Sequence, residues 1–311
     1  MKRILFIAAL LFVVAKSFSQ QDIDKTITVD NRERQYLIHL PPTFDVSQKL
    51  PVIFALHGGG GTYKNTIKFY GLNNLADANG FIIVYPNAVN KAWAMPGITS
   101  RRKKLDTTID DVHFISVLID SLIANYKADG KRIFCTGISR GGMFSLYLAY
   151  KLSGRIAGIA PVCGGISQTV AADYSFSHPI PALLINGTAD PLVSYNGGVG
   201  RYNKRNEESE DANMLPTEDL VAKIVKLNNC NSNGVTTQLP DTDTRDECTA
   251  TETIYNCNNV TVDFIKVING GHTWPGGSQY LPKFLIGRVC RDFSASEKII
   301  NFFSAIKSIV Q

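Results

Sequence analysis

The chain has 311 residues, of which 44% are hydrophobic and 19% are charged, a composition typical of a globular protein with a sizeable core. The formal net charge is only +5 and the basic residues form no stripe, which argues against a nucleic-acid-binding protein. After the first 19 residues, no segment is long and apolar enough to cross a membrane.

The first 19 residues have the pattern of a secretory signal peptide. Lys2 and Arg3 precede an apolar run over residues 4–15, and small serines follow at positions 17 and 19. No cysteine lies near the expected cleavage site, so no lipid anchor is predicted. Cleavage would remove three of the 32 basic residues, and the remaining 29 would face 27 acidic residues, a net charge of about +2. We therefore predict an exported protein, secreted or periplasmic, in which residues 20–311 form one domain.

Strands and helices are predicted to alternate along the rest of the chain. The expected elements, in chain order, are a hairpin over 25–29 and 34–40, strands over 51–56 and 81–85, a helix over 111–126 with Asp110 as its N-cap, a strand and helix within 131–152, strands over 156–162 and 182–185, a helix over 216–227, a strand over 260–268 and a helix over 294–309. This alternation predicts one α/β domain with a mostly parallel central sheet and helices on both faces. The polar stretch 201–213 is interpreted as a solvated loop, with a substrate-gating lid as the alternative.

Six cysteines fall into two groups. Cys135 and Cys163 lie in apolar, strand-like runs and are predicted to be buried thiols. The other four lie in polar sequence and allow three pairings, of which we favour Cys230–Cys257 with Cys248–Cys290. None has C-x-x-C spacing, so neither a zinc site nor a redox motif is indicated.

The stretch Gly-Ile-Ser-Arg-Gly at 137–141 lies where a predicted buried strand ends and a helix begins. A strand-turn-helix is the setting of the nucleophile elbow, in which glycines permit a tight turn and the serine hydroxyl projects from the edge of the sheet. An isolated G-x-S-x-G match is weak, but its position here favours Ser139 as a catalytic nucleophile.

Candidates for the acid and the base follow later strands. Asp190 comes just after the predicted strand 182–185, and His272 follows two glycines after the strand that ends at 268. His272 is the only one of five histidines after Asp190, and the order Ser, Asp, His is that of α/β-hydrolases. A serine is a weak nucleophile until an imidazole accepts its proton, and a carboxylate holds that imidazole in the useful tautomer. We therefore predict a triad of Ser139, His272 and Asp190.

An oxyanion hole is predicted from the stretch "LHGGGGTY" at 56–63, directly after the first buried strand. Backbone N–H groups of such a loop can stabilise the negative charge on the carbonyl oxygen under attack. We assign this role to the N–H groups of Gly59 and Arg140, with Gly60 as the alternative to Gly59. His57 is predicted to hold the loop through its side chain rather than to take part in catalysis.

Several motifs together resemble a known family. "LHGGGG", "IDDVHFISVLID", "GISRGGM", "NGTADPLVSYNGG", "GGHTWPGG" and "FSASEKIINFF" occur in the order seen in secreted esterases related to polyhydroxybutyrate depolymerases and to feruloyl esterases of carbohydrate esterase family 1. The resemblance covers 56–303 and implies an α/β-hydrolase fold with the triad on Ser139, Asp190 and His272, without a cofactor or a metal. Two positions depart from the family pattern: Arg140 replaces a frequent asparagine, and the loop after His57 is all glycine where cysteine is frequent.

Two tryptophans are candidates for substrate contact. Trp274 is two residues from His272, and Trp93 follows a strand whose C-terminal end faces the predicted site. A flat indole suits an aromatic acyl group or a sugar face. The favoured function is therefore removal of feruloyl or acetyl esters from plant polysaccharide. The alternatives are a polyester depolymerase, a serine peptidase, disfavoured without a large cap domain, and a catalytically dead carbohydrate-binding module, disfavoured because all three triad candidates are present.

Overall fold

One mixed sheet of ten strands forms the centre of the protein. The computed structural model describes residues 21–96, 106, 108–199, 213–231, 233–258 and 260–307, so the predicted signal peptide and residues 201–212 of the predicted loop lie outside the described residues. The strands of the main sheet are β1 (Gln21–Val29), β2 (Arg32–Leu40), β3 (Leu50–Leu56), β4 (Ile82–Pro86), β5 (Ala128–Ile138), β6 (Gly158–Val162), β7 (Ala182–Gly187), β10 (Val235–Gln238), β11 (Thr249–Asn256) and β12 (Thr261–Ile268). Two short strands, β8 (Gly198–Val199) and β9 (Asn213–Met214), pair with each other.

The strand order is β1-β2-β4-β3-β5-β6-β7-β12-β11-β10. The six central strands, from β4 to β12, run parallel, and the two strands at each edge pair antiparallel with their neighbours. The mostly parallel sheet and the opening hairpin are thus confirmed. The edge strands β10 and β11 were not predicted. All four residues of β10 are exposed, so no run of buried apolar residues indicates a strand in the sequence.

Helices cover both faces of the sheet, as predicted. They are α1 (Tyr63–Tyr70), α2 (Leu72–Asn79), α3 (Asp111–Tyr126), α4 (Arg140–Lys151), α5 (Gln168–Asp173), α6 (Thr217–Leu227), α7 (Lys283–Ile286) and α8 (Ala295–Ala305), with a 3-10 turn at Val89–Lys91. The buried residues of α3, α4 and α6 pack into one apolar core, and those of α1, α2 and α8 pack into the other. In the part of the chain that the structure describes, no helix has the length and apolar character needed to span a bilayer.

The central strands are buried on both faces because alternate side chains point to opposite helix layers. In β3, Val52, Phe54 and Leu56 join the core under α3 and α4, whereas Ile53 and Ala55 join the core under α2 and α8. The continuous apolar run of this strand therefore reflects its central place in a parallel sheet. The carboxyl ends of the parallel strands meet at one edge, where the loops that carry the predicted triad begin.

The cysteine predictions have different outcomes. Cys230 and Cys257 form a disulfide, and Cys135 and Cys163 are buried free thiols, as predicted. The predicted pairing of Cys248 with Cys290 is wrong: both are buried free thiols. Each thiol has its own acceptor instead, because Cys248 Sγ lies 3.6 Å from the Asp246 carbonyl oxygen and Cys290 Sγ lies 3.6 Å from an Asp292 carboxylate oxygen.

A buried carboxyl group on β12 makes the stability of the fold depend on pH. Asp263 is 8% exposed and interacts with Glu252 on β11, which accepts a hydrogen bond from Lys298. Burial, and then the charge of Glu252, raise the pKa of Asp263 to about 7. The folded state therefore holds a proton that the unfolded state releases near pH 4. The free energy of unfolding falls as the pH rises from about 4 through about 7.

We expect Asp263→Asn to remove this loss, since the amide stays neutral and can still donate a hydrogen bond to Glu252. Relative to the wild type, the variant should gain about 2 to 4 kcal/mol of unfolding free energy between pH 4 and pH 8. Urea unfolding at the two pH values measures the change. Asp173→Asn, an exposed site on α5, is the control. An equal response of both variants to pH would contradict the assignment to Asp263.

Candidate active site

Ser139 lies at a tight corner between β5 and α4. Its backbone has φ 57° and ψ −124°, a conformation that non-glycine residues adopt only under strain. Its N–H donates to the Val162 carbonyl oxygen at 2.9 Å, and its own carbonyl accepts the first helical bond, from Met143 N–H, at 2.8 Å. Neighbouring structure therefore holds the strained turn in place, and the half-buried serine side chain faces an open cavity.

The glycines on either side of Ser139 allow β3 to approach α4 closely. A Cβ at Gly137 would lie 2.4 Å from the Leu56 carbonyl oxygen, and a Cβ at Gly141 would lie 2.2 Å from the same atom. No side chain fits at either distance. The G-x-S-x-G pattern therefore follows from the packing of the end of β3 against the elbow.

Asp190, on the loop after β7, has a carboxylate that accepts from three donors, two on its own loop and one from His272 on the loop after β12. One oxygen accepts the N–H groups of Leu192 and Val193 at 2.8 and 2.9 Å, and the other lies 2.7 Å from His272 Nδ1. The side chains of Asp190 and His272 are each only 2% exposed. Because a carboxylate only accepts, Nδ1 carries a proton, and Nε2 of the neutral ring remains as a base. His272 and Ser139 line the same cavity, of about 1130 Å³.

His57 fixes the glycine loop after β3, as predicted. The side chain is 1% exposed, its Nδ1 donates to the Gly58 carbonyl at 2.8 Å, and its Nε2 accepts the Ala88 N–H at 3.0 Å. Burial lowers the pKa of His57 by more than the hydrogen bond to Gly58 raises it, so the ring is neutral. A protonated ring would lose its acceptor for Ala88. His57 thus ties the loop to the segment after β4.

The loop also distinguishes between the two glycines considered for the oxyanion hole. The Gly60 N–H donates to the Lys91 carbonyl at 2.8 Å and is therefore occupied. No acceptor among the described residues takes the Gly59 N–H. Gly59 lies beside Arg140, since a Cβ built on it would be 3.8 Å from the Arg140 side chain. The Arg140 N–H lies at the first position of α4, directly after the nucleophile. The geometry favours Gly59 over Gly60.

Trp93 does not border the cavity, so its predicted contact with substrate is wrong. The side chain is completely buried, and its ring stacks on Phe144 with centroids 4.8 Å apart. Its Nε1 donates to the His57 carbonyl at 2.8 Å, and its carbonyl accepts from Arg140 Nε at 3.0 Å. Trp93 is therefore a buried residue that links the glycine loop to the first residue of α4.

Trp274 lines the cavity, but its side chain is only 1% exposed, so little of its indole is open to stacking on a substrate. Its ring stacks on Tyr70 at 4.0 Å, and its Nε1 donates to Ser296 Oγ at 2.9 Å. The Tyr70 hydroxyl donates to the Leu56 carbonyl and accepts the Ile138 N–H, each at 2.8 Å. Trp274 thus packs behind a tyrosine that ties β3 to the elbow.

The accessible apolar surface of the cavity comes from residues that were not predicted. Tyr280 and Leu281 line the cavity and are 41% and 44% exposed, and Phe69 from α1 meets the Tyr280 ring edge-on at 5.2 Å. The Tyr280 hydroxyl donates to the His272 carbonyl at 3.1 Å. The position of Tyr280 and Leu281 on the loop that carries His272 was the available signal in the sequence. We call Phe69, Tyr280 and Leu281 the aromatic rim.

A third group lies beside the Asp190–His272 pair. The Cys163 sulfur, one Asp190 oxygen and one His272 nitrogen are all within 4.8 Å of one another, which is close enough to consider a metal. Two ligands of a tetrahedral zinc ion, bound at about 2.0–2.1 Å, would be about 3.3 Å apart. The 2.7 Å contact between Asp190 and His272 is shorter and is a direct hydrogen bond. The arrangement fits a hydrogen-bonded network rather than a metal centre.

Known proteins resemble this chain in sequence and in fold. The family model described as "Putative esterase" matches residues 27–168. "Putative esterase NocK" of Nocardia uniformis is 28% identical over 290 residues, which cover 89% of this chain and 81% of that protein. Feruloyl esterase C of Emericella nidulans is 29% identical over 172 residues, 53% of this chain and 58% of that protein, so the match spans less than two thirds of that relative.

A solved structure, an acetyl xylan esterase from Aspergillus awamori, superposes with a TM-score of 0.55 and covers 81% of this chain and 94% of its own. At 16% identity this likeness concerns the fold. The fold is that of an α/β-hydrolase, and the match to the esterase model over 27–168, with the esterase relatives, indicates a carboxylic ester hydrolase. In sequence the chain is similar to feruloyl esterases, which supports the part of the predicted resemblance that concerns carbohydrate esterases.

Proposed function

We propose that the protein is a serine esterase that cleaves feruloyl or acetyl esters of plant polysaccharide through an acyl-enzyme. One observation carries the catalytic part of the proposal: Ser139, on a strained elbow, opens into the cavity that His272 also lines, and Nδ1 of His272 is hydrogen-bonded to the buried carboxylate of Asp190. A nucleophile, a base and an orienting acid in this arrangement are what acyl transfer requires.

In the proposed reaction, His272 Nε2 accepts the Ser139 proton while the serine oxygen attacks the ester carbonyl carbon. The resulting imidazolium is stabilised by Asp190 and returns the proton to the leaving alcohol, which leaves the acyl group on Ser139. A water molecule, activated by the same imidazole, then attacks the acyl carbonyl, and the acid departs with serine restored. The proton is held in turn by serine, imidazole and product, so no other acid or base is needed.

The oxyanion formed in both steps would be stabilised by the N–H groups of Gly59 and Arg140. Three contacts support this role: the bonds of His57 to Ala88, of Trp93 to His57 and of Arg140 to Trp93 hold the loop and the helix start in one arrangement. A donor group that is already oriented costs no reorganisation when charge develops, and removal of one such donor typically costs about 10²- to 10³-fold in kcat.

The relatives and the aromatic rim support the substrate class. The relatives include a feruloyl esterase and a bifunctional acetylxylan esterase/xylanase of Neocallimastix patriciarum, 27% identical over 162 residues that cover 51% of this chain and 22% of that protein. The exposed ring of Tyr280 with Leu281, rather than the predicted tryptophans, offers an apolar wall to a planar acyl group. We also propose that residues 1–19 direct export, which would bring the enzyme to polymeric substrates.

Activity on a panel of esters tests this function. We expect methyl ferulate and acetylated xylan to be hydrolysed with higher kcat/KM than hydroxybutyrate oligomers, because only the former present a planar acyl group or a sugar to the rim. Product release measured by chromatography, with equal enzyme and buffer, gives the ranking. The opposite ranking would favour the polyester depolymerase, and no hydrolysis of any ester, with the fold intact, would favour a binding module.

Replacement of Tyr280 tests the contribution of the aromatic rim separately from that of the catalytic groups. We expect Tyr280→Ala to lower kcat/KM on methyl ferulate about 5- to 10-fold more than on 4-nitrophenyl acetate, since an aromatic contact contributes roughly 1 kcal/mol. Tyr280→Phe keeps the ring but removes the bond to the His272 carbonyl, so it should affect both esters equally. Phe284→Ala is the control, because Phe284 is 75% exposed and does not line the cavity. Equal effects of Tyr280→Ala on both esters would rule out the rim as an acyl-binding wall.

A further inference from the structure

Cys163, the first residue after β6, lies directly behind the Asp190–His272 pair. Its side chain is buried, and its N–H donates to the Ile185 carbonyl on the neighbouring strand β7 at 2.8 Å. Its sulfur lies 3.3 Å from the Thr273 carbonyl and 3.6 Å from the Gly271 carbonyl. The thiol therefore contacts the backbone on both sides of His272.

The same sulfur is close to the groups of the proposed triad themselves. It lies within 4.8 Å of an Asp190 carboxylate oxygen and of a His272 ring nitrogen. These contacts connect three segments that are far apart in the sequence: the ends of β6 and β7 and the loop after β12. Asp190 follows β7 and His272 follows β12, and both must stay aligned with Ser139.

We propose that Cys163 is a positioning residue, whose S–H group holds the backbone of His272 and supports the carboxylate of Asp190 so that the imidazole stays aligned with Ser139. The inference rests on the proposed function of the triad. The thiol does not touch the reacting atoms. Its contribution is to the orientation of the base, and it acts through the Gly271 and Thr273 carbonyls and through Asp190.

The chemistry of the site keeps the thiol a donor. Burial raises the pKa of Cys163 well above its ordinary value, and the negative charge of Asp190 raises it further. A thiolate would repel the carboxylate and the two carbonyl oxygens, whereas the single S–H group donates to one of them and places no negative charge beside the others. Burial also keeps the sulfur from external oxidants and alkylating agents. Cys163 is therefore a neutral hydrogen-bond donor and not a second nucleophile.

The backbone of Cys163 indicates that its side chain contributes to the site. Its φ is 47°, a left-handed conformation that glycine adopts without strain but that costs a residue with a Cβ roughly 1 kcal/mol or more. This backbone places the sulfur 3.3 Å from the Thr273 carbonyl, against the loop that carries His272. Cys163→Gly should relieve the backbone strain and also remove the S–H donor, whereas Cys163→Ala removes only the donor. The two variants together separate strain from hydrogen bonding.

The test is a series of variants at this position, assayed as kcat and KM on 4-nitrophenyl acetate. Because a small misplacement of a catalytic group can cost up to about 100-fold, we expect Cys163→Ala and Cys163→Gly to lower kcat about 10- to 30-fold with little change in KM. Cys163→Ser restores a donor of similar shape and should recover kcat to within about threefold of the wild type. Labelling of Ser139 by a fluorophosphonate should slow and recover in parallel.

Cys135→Ala is the matched control, because Cys135 is also a buried free thiol, and on β5 it packs in the apolar core under α3 and α4. It should lower the melting temperature and leave kcat unchanged. A Cys163→Ala variant that folds and retains kcat within twofold of the wild type would overturn the proposal. If the alanine variant does not fold, Cys163→Ser decides: a 10-fold or greater loss of kcat in the folded serine variant would also overturn it. Activity that survives Ser139→Ala would instead refute the proposed function.

Discussion

Ser139→Ala is expected to reduce kcat for 4-nitrophenyl acetate by roughly 10⁴-fold or more, because no acyl-enzyme can form without the hydroxyl. The residual rate would come from substrate binding and from the oxyanion hole, because water can still attack the bound ester slowly. Alanine can adopt the same backbone as serine, and the Val162 and Met143 bonds involve only main-chain atoms. The melting temperature should therefore change by only a few degrees.

Ser278→Ala is the control for this experiment. Ser278 is an exposed serine that lines the same cavity, and its loss should leave kcat nearly unchanged. A fluorophosphonate should label the wild type at Ser139 alone and should not label Ser139→Ala. A variant without the Ser139 hydroxyl that still turns over at a near-normal rate, or a label on Ser278, would remove Ser139 from the mechanism.

Loss of the acid or of the base is the second large effect. We expect His272→Ala to lower kcat by about 10⁴- to 10⁶-fold, and Asp190→Asn by about 10⁴-fold, since an amide can no longer hold the imidazole in the productive tautomer. Asp190 exerts its effect through His272. The variant with both changes should therefore be scarcely less active than His272→Ala, and the two losses should not multiply.

This prediction is checked by a double-mutant cycle on kcat at one pH. Asp173→Asn, on an exposed position of α5, should leave kcat unchanged and serves as the control for a new amide. Asp190→Asn also alters the acceptor for Leu192 and Val193, so the melting temperature must be measured alongside. Losses that multiply fully, with both single variants folded, would mean that Asp190 and His272 do not act as one unit.

The chain's local sequence determined most of the architecture that positions the site. The helix Asp111–Tyr126 and its cap Asp110, which accepts the His113 N–H at 2.9 Å, were predicted, because periodicity and capping act within a few residues. The candidates Ser139, Asp190 and His272 each follow an apolar run, and each of these runs forms a central strand of the parallel part of the sheet. Such strands end at one edge, so local pattern and chain order suffice to bring these three residues together.

Only the tertiary structure decided which side chains face the substrate cavity. Trp93 and Trp274 are buried by residues remote in sequence, Phe144 and Tyr70, while Tyr280 stays exposed. The choice between Gly59 and Gly60 depends on the Lys91 carbonyl, about thirty residues away, and the placement of Cys163 behind His272 depends on a contact across 110 residues. Strand and helix patterns arise from neighbours along the chain, whereas exposure and hydrogen-bond partners depend on which segments fold against one another.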